Sequence, residues 1–387
     1  MSGEPKLITV ADDGGETLEF MQLKNGLRQP PFNMTADEIQ EIFEHVPETP
    51  CRDDDIMLAT FPKTGTNWLY EMLSMIQRRS SARVQDTKMS TMLEANKADV
   101  IDTRSSPRVL NSHYRPRFLP KDLCRKQIKT VLCLRNPKDA AVSQYAHMTG
   151  MHIYNYKGTF TDWIRPYVEG EMEYNSYADY LNAWQEVIEA GPGYPLHVMY
   201  FEDLKMKVIE AGPRYFIHVM DFENLKKRAT GCYIGGIEVL ATSNLLEEPE
   251  NGEYGPFSAY LYELQKVIEA GPRYSIHVMD FENLKMDGIG QLNKLLKFLG
   301  VDLDEATRDA IFEQCHFPNM LREKPEIMPT VEHFKNNNLF RKGHSFYRKG
   351  EVGDWKNWFT VAKNEMFDAV WASKIRPDTM FHFRYLL

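Results

Sequence analysis

The apolar positions Ile56–Phe61, broken only by Thr60, read as a strand buried on both faces. The pattern stops at Pro62-Lys63-Thr64-Gly65-Thr66 and resumes at Trp68, Leu69, Met72, Leu73 and Ile76, which is helical spacing. The same design returns downstream. Ile128–Leu134 is an apolar run, Arg135-Asn136-Pro137 breaks it, and a helix begins near Lys138. Two strand–turn–helix units predict an α/β fold, a parallel sheet flanked by helices that binds anions outside its strand ends. A weakly helical segment at Met34–His45 can be capped by Thr35, with Glu38 in capping-box position. An amphipathic helix at Ile289–Leu299 stops at Gly300, another covers Asp304–Gln314, and a last one follows the glycine-punctuated turn near Arg348–Gly353. Residues 1–50 are otherwise polar, residues 80–105 read as a polar passage over one sheet face, and residues 318–350 read as a mobile basic loop.

From Tyr174 onward the pattern repeats. VIEAGPGYPLHVMYFEDLKM begins at Val187, a second copy at Val208 and a third at Val267. The first and third copies are 80 residues apart, and only the third shares the upstream helix. A solenoid needs a fixed period, which these offsets lack. The reading is one domain, 1–387, carrying a duplicated helix–turn–strand insertion at 207–286. One copy fills the matching slot of the sheet; the surplus forms an appended layer, adds an edge strand or packs poorly.

Charge narrows the function. With 46 basic against 55 acidic residues the net charge is −9, which argues against a general nucleic-acid or membrane-surface binder. An anion site must therefore be a local basic pocket. The N-terminus lacks the basic start and apolar core of a signal peptide, and no apolar run approaches the ~18–20 residues that span a bilayer. Five scattered cysteines, never spaced as metal ligands, fit a reduced cytoplasmic protein without a structural metal.

The corner at 62–66 aims backbone N–H groups and a helix dipole at one point, with Lys63 adding charge and Thr64 and Thr66 adding hydroxyls. It is not a Walker A loop, because Lys63 precedes the glycine. Alone it fits an ordinary corner with a surface lysine equally well. Arg135 can fork a phosphate, with Ser143 adding a hydroxyl; the plainer alternative is an Arg135–Asp139 pair. His113, ending Ser106–His113 (SPRVLNSH), is either a general base or a hydrogen-bonded surface side chain.

Taken together these segments resemble the cytosolic sulfotransferases, which use 3′-phosphoadenosine 5′-phosphosulfate (PAPS) to sulfate small hydroxyl or amine compounds. FPKTGTNW resembles the family's 5′-phosphosulfate loop, implying that Lys63, Thr64, Gly65, Thr66, Asn67 and Trp68 bind the donor. LCLRNPKDAAVSQY resembles the 3′-phosphate motif, with Arg135 and Ser143 at the family's spacing. RKGEVGDWKNWFT resembles the C-terminal cofactor loop and implies roles for Arg348, Lys349 and Gly350. SPRVLNSH aligns with the segment ending in the catalytic base, which makes His113 that residue. Trp68 and Phe317 would stack the adenine. Lys356, Thr360, Val361 and Glu365 match a short homodimer motif. Removing one repeat unit leaves 307 residues, near the family's usual size.

Three positions depart from the pattern. Asn111 stands where the family often has a lysine, two residues before the histidine, and this removes a cation from the acceptor side. Phe201, Phe222 or Phe281 stands where a tyrosine often meets adenine, and Cys315 replaces a threonine. The resemblance implies sulfuryl transfer with His113 as base and Lys63 on the leaving oxygen, without a metal. Competing readings are a P-loop nucleotide kinase, a non-catalytic product of the duplication, and a Golgi-type carbohydrate sulfotransferase, which would need a membrane anchor. The acceptor stays open among phenol, steroid, alcohol and amine.

Overall fold

The computed structural model describes residues 3–32, 34–83, 86–200, 288–316, 318–322, 340–341, 348–383 and 385, and the backbone of 232–234, 237–239 and 276–277. The chain opens with a three-stranded antiparallel sheet, β1 Lys6–Ala11, β2 Thr17–Gln22 and β3 Arg28–Gln29. This element is absent from the pattern reading. Its tight turn is built by Asp12, whose Oδ1 accepts from the amides of Gly14 and Glu16 at 2.9 Å each. Helix α1, Ala36–His45, carries the expected capping box between Thr35 and Glu38.

The main sheet is parallel. Its strands are β4 Ile56–Thr60, β5 Val109–Ser112, β6 Lys129–Leu134 and β7 Leu196–Tyr200. Between them lie α2 Thr66–Arg78, the short α3 Ala98–Asp102 and α4 Asp122–Arg125, then α5 Pro137–Gly150, α6 Phe160–Glu169 and α7 Tyr177–Ala190. Both faces of the sheet are covered, which is why its strands read as near-continuous apolar runs. Side chains alternate between the two cores. Met57 and Ala59 face the core that α1 and α7 fill, whereas Ile56 and Leu58 face the core that α2 fills. Trp184, Tyr180 and Leu181 of α7 close one side, and Leu69, Met72, Leu73 and Ile76 of α2 close the other. A buried ion pair fastens the strand starts: Arg108 Nη2 lies 2.6 Å from Asp55 Oδ2, and Nε lies 2.9 Å from Oδ1.

Past β7 the described backbone holds a hairpin, β8 Cys232–Ile234 with β9 Ile237–Val239, and a two-residue strand, β10 Ile276–His277. The sheet order is β10-β7-β6-β4-β5. The first repeat copy thus supplies the strand beside β6, and the third copy adds a parallel strand outside it. Their register pairs Ile276 with Leu196 and His277 with His197, the 80-residue offset of the repeat. The remaining residues of the 207–286 insertion lie outside the described residues. Helices α8 Gly288–Leu299 and α9 Glu305–Gln314 complete the α2 side, with Leu292, Leu295, Leu299 and Ile311 in that core. The last helix, α10 Val361–Lys374, packs on α6 and places Phe367 in a third core with β1, β2 and α5. Among the described residues no helix is long and apolar enough to cross a membrane.

Candidate active site

Strand β4 lies between β5 and β6; the chain goes from β4 to β5 on one side and then crosses back to β6 on the other, which opens a crevice at the C-terminal strand ends. Three predicted residues follow these strand ends: Lys63 after β4, His113 after β5 and Arg135 after β6. The Arg135 guanidinium binds two of the predicted loops together. Nη1 donates to the Lys63 carbonyl at 3.2 Å, and Nη2 donates to the Glu351 carbonyl at 3.1 Å. The two strand-to-helix corners and the late glycine loop therefore meet. Asp139 does not partner Arg135. It accepts from Asn136 Nδ2 at 2.8 Å, from the Gly353 amide at 2.7 Å and from the Trp355 amide at 2.9 Å. The plainer reading of Arg135 is thus overturned, and Asp139 instead moors the C-terminal loop to the start of α5.

Lys63 sits at φ +66 in the left-handed region, which a lysine adopts only where the surroundings hold it. Gly65, at φ 124, is the N-cap of α2 and has no side chain to cap it. The first-turn amides must then find acceptors outside the helix. The Thr64 hydroxyl shares its one proton between the carbonyls of Phe61 at 2.8 Å and Cys133 at 3.0 Å, and the Thr66 hydroxyl lies 2.8 Å from that of Thr60. These contacts tie the turn to the sheet. Enclosure in the crevice, with Lys88, Arg135 and Arg348 nearby, pulls Lys63 down to about 7, opposed by Glu173. Its side chain keeps partial access to solvent.

Trp68 is buried, and its indole N–H donates to the Cys315 carbonyl at 2.6 Å. Cys315 therefore contributes its backbone here. Phe317, the other expected wall of the adenine site, lies outside the described residues, as do Phe201, Phe222 and Phe281. Ser143 is half-buried on α5 and Asn67 half-buried on α2. Arg348 and Lys349 both engage the buried Asp354, at 2.6 and 2.7 Å. Those contacts, with Asn357, overcome burial and hold the Asp354 carboxyl far below the usual range. Gly350 takes φ +66, which lets the chain turn between this pair and Glu351.

His113 is buried and fully engaged. Its amide donates to Glu94 Oε1, and its Nδ1 lies 2.9 Å from the Thr60 carbonyl. A carbonyl only accepts, so Nδ1 carries the ring proton and Nε2 holds the lone pair. Facing Nε2 at 2.9 Å is Lys88 Nζ. Burial, with the charge of Lys88, drives the imidazole well below its ordinary value, so it is neutral at physiological pH. Lys88 was not anticipated. It comes from the polar stretch 80–105, on a 3-10 turn Lys88–Thr91, and the Asn111 Nδ2 donates to its carbonyl at 2.7 Å. A lysine from another part of the chain thus stands beside the His113 ring, where Asn111 supplies no cation.

The expected dimer residues Lys356, Thr360, Val361 and Glu365 are all exposed, Val361 at 76%. Thr360 also caps α10 through the Lys363 amide at 3.3 Å.

The family profile described as "Sulfotransferase domain" matches residues 53–211 and 241–378. Among curated proteins, the chain is 24% identical over 341 residues to "Sulfotransferase 1A1" of Rattus norvegicus, covering 86% of this chain and 87% of the relative. It is 22% identical over 383 residues to "Sulfotransferase 1C2" of Homo sapiens, covering 96% and 98%. Among solved structures, mouse sulfotransferase SULT7A1 complexed with PAP superposes with a TM-score of 0.54 at 19% identity, covering 91% of this chain and 94% of that one. Retinol dehydratase in complex with retinol and PAP gives 0.59 at 13% identity, covering 99% and 100%. These structural likenesses concern the fold.

Proposed function

The chain belongs to the sulfotransferase family, and from that premise we propose that it moves a sulfuryl group from PAPS to a hydroxyl or amine of a small acceptor, with His113 as base and Lys63 at the leaving oxygen. The observation that carries this reading is the meeting of Lys63, Arg135 and the 348–351 loop at one crevice, with the His113 Nε2 lone pair directed by the Thr60 carbonyl. The two PAP-bound structures named above support the donor class.

The chemistry follows the logic of phosphoryl transfer, an in-line displacement helped mainly by positioning and electrostatics. The acceptor oxygen bonds to sulfur while its proton passes to His113 Nε2. The sulfur–oxygen bond to the 5′-phosphate breaks, and its electron pair stays on the phosphate oxygen. Lys63 and the first-turn amides of α2, Thr66, Asn67 and Trp68, lie at the strand end where that charge would grow. Arg135 and Ser143, with Arg348, Lys349 and Gly350, would hold the 3′-phosphate, whose binding energy orients the reacting end. For Arg348 and Lys349 this requires sharing their charge with Asp354. The exposed face with Val361 would pair two copies.

His113→Ala tests the assignment. Turnover with PAPS and a panel of phenol, steroid, alcohol and amine acceptors should fall below detection, while adenosine 3′,5′-bisphosphate still raises the melting temperature. Near-normal turnover of the variant would remove His113 from the base role. Stabilisation by ATP-Mg in preference to the bisphosphate would favour a nucleotide kinase.

A further inference from the structure

We propose that Lys88 is a further catalytic residue of this chain, placing an ammonium against the acceptor oxygen beside His113. The inference rests on the proposed sulfuryl transfer and extends it. Lys88 Nζ lies 2.9 Å from His113 Nε2, the atom that must receive the acceptor's proton. An acceptor hydroxyl donating to Nε2 therefore arrives within about one further hydrogen-bond length, ~2.8 Å, of the same lone pair. Lys88 must then release Nε2, and its freed N–H groups find the acceptor oxygen next to them. An ammonium bound there makes the hydroxyl easier to deprotonate and, as the bond to sulfur forms, screens the oxygens of the incoming group.

The site is built to present this cation. Lys88 is only 9% exposed, and its carbonyl accepts from Asn111 Nδ2 at 2.7 Å. The Asn111 Nδ2 also donates to Thr91 Oγ1 at 3.2 Å, so one amide fastens both ends of the 3-10 turn. The charged and titratable groups around the pair include Glu94, Glu173, Lys63, His147 and Tyr174, whose ring meets that of His113 edge-on at 5.1 Å. Burial lowers Lys88, and the two carboxylates act to keep it charged. Glu94 accepts from the His113 amide, and burial pushes its carboxyl up to about 7 against the pull of that amide and of Lys88.

Lys88→Met keeps the length and removes the charge; because Glu94 and Glu173 stay behind in the buried site, a cooperative melt of the variant is established first. With kcat falling about 100-fold, as on losing one donor to a developing charge, stabilisation by adenosine 3′,5′-bisphosphate should be at least that of the wild type, since the Lys88 charge also lowers Lys63. The cation also suppresses protonation of His113, so its removal should move the acidic limb of the kcat/KM profile to higher pH. A packing role would leave that limb in place. Asn111 lies two residues before His113 and projects to the same side of the strand. The double variant Lys88→Met/Asn111→Lys should therefore recover at least a tenth of wild-type kcat. Turnover of Lys88→Met within threefold of wild type, or a loss with an unmoved limb and no recovery in the double variant, overturns the proposal. A variant that no longer melts cooperatively overturns it too if the double variant, folded, stays inactive. A wild-type enzyme that sulfates no acceptor brings down the reaction itself, a failure distinct from wild-type turnover that ignores Lys88.

Discussion

Lys63 holds a backbone conformation that costs a non-glycine residue on the order of 1 kcal/mol or more, and its position explains why it is kept there. The turn swings its ammonium into an enclosure with other cations, which lowers its affinity for a proton to about 7. A bound phosphosulfate or bisphosphate would restore that affinity. At pH 8 the free lysine is largely neutral and the bound one charged, so binding must take up a proton. Titration calorimetry of the bisphosphate at pH 8, in buffers of differing ionisation heat, should report uptake of up to about one proton. Buffer-independent heats would place the anion away from Lys63. His113 carries the opposite consequence. Its proton affinity lies well below the ordinary imidazole value, so the base stays deprotonated in more acidic solution than an ordinary histidine does. The acidic limb of kcat/KM should accordingly fall below about 6.5, the unperturbed value. A limb above it would mean that the ring is less enclosed than its contacts require.

At the scale of elements, the site is a junction between α5, α2 and the C-terminal loop. Arg135→Ala should weaken adenosine 3′,5′-bisphosphate far more than adenosine 5′-phosphate; equal losses would deny Arg135 a role at the 3′ end. Asp139 does the mooring. Asp139→Ala strands the amides of Gly353 and Trp355, at about 1–3 kcal/mol each, and the melting temperature and bisphosphate affinity should drop together. Unchanged affinity in a folded variant would mean that the loop is placed by other contacts. The sequence made these corners legible because strands buried on both faces write long apolar runs, and because helix α5 starts at a proline. The N-terminal sheet was not legible, since its buried residues Val10, Leu18 and Phe20 are outnumbered by exposed ones and Leu7 points outward. Lys88 left no signal at all. Its neighbours Thr87–Thr91 have no period, and only the fold carries that turn across to Asn111. Thr64 misled for the same reason, because sequence shows a hydroxyl but not the carbonyls it has already found.

For the whole molecule, the repeat poses a question of topology. The slot beside β6 is occupied by the first copy, so removing 207–286 should spare it. The deletion also joins Met206 to Asp287, recreating the Met286–Asp287 junction of the third copy. The 307-residue product should melt cooperatively and gain stability from the bisphosphate; a product that does neither would mean that the insertion is part of the fold's support. In sequence the repeat was plain but its placement was not, because strands this similar, LHVMY at 196–200 and IHVMD at 276–280, do not mark which one lies inside. The neighbours β7 and β10 share the letters His-Val-Met from His197 and His277 and run in the same direction. One strand spacing, about 4.8 Å, separates the incumbent from its understudy. Substitutions in the inner copy should therefore lower the melting temperature less in the full chain than in the 307-residue deletion product, where no second copy stands beside it.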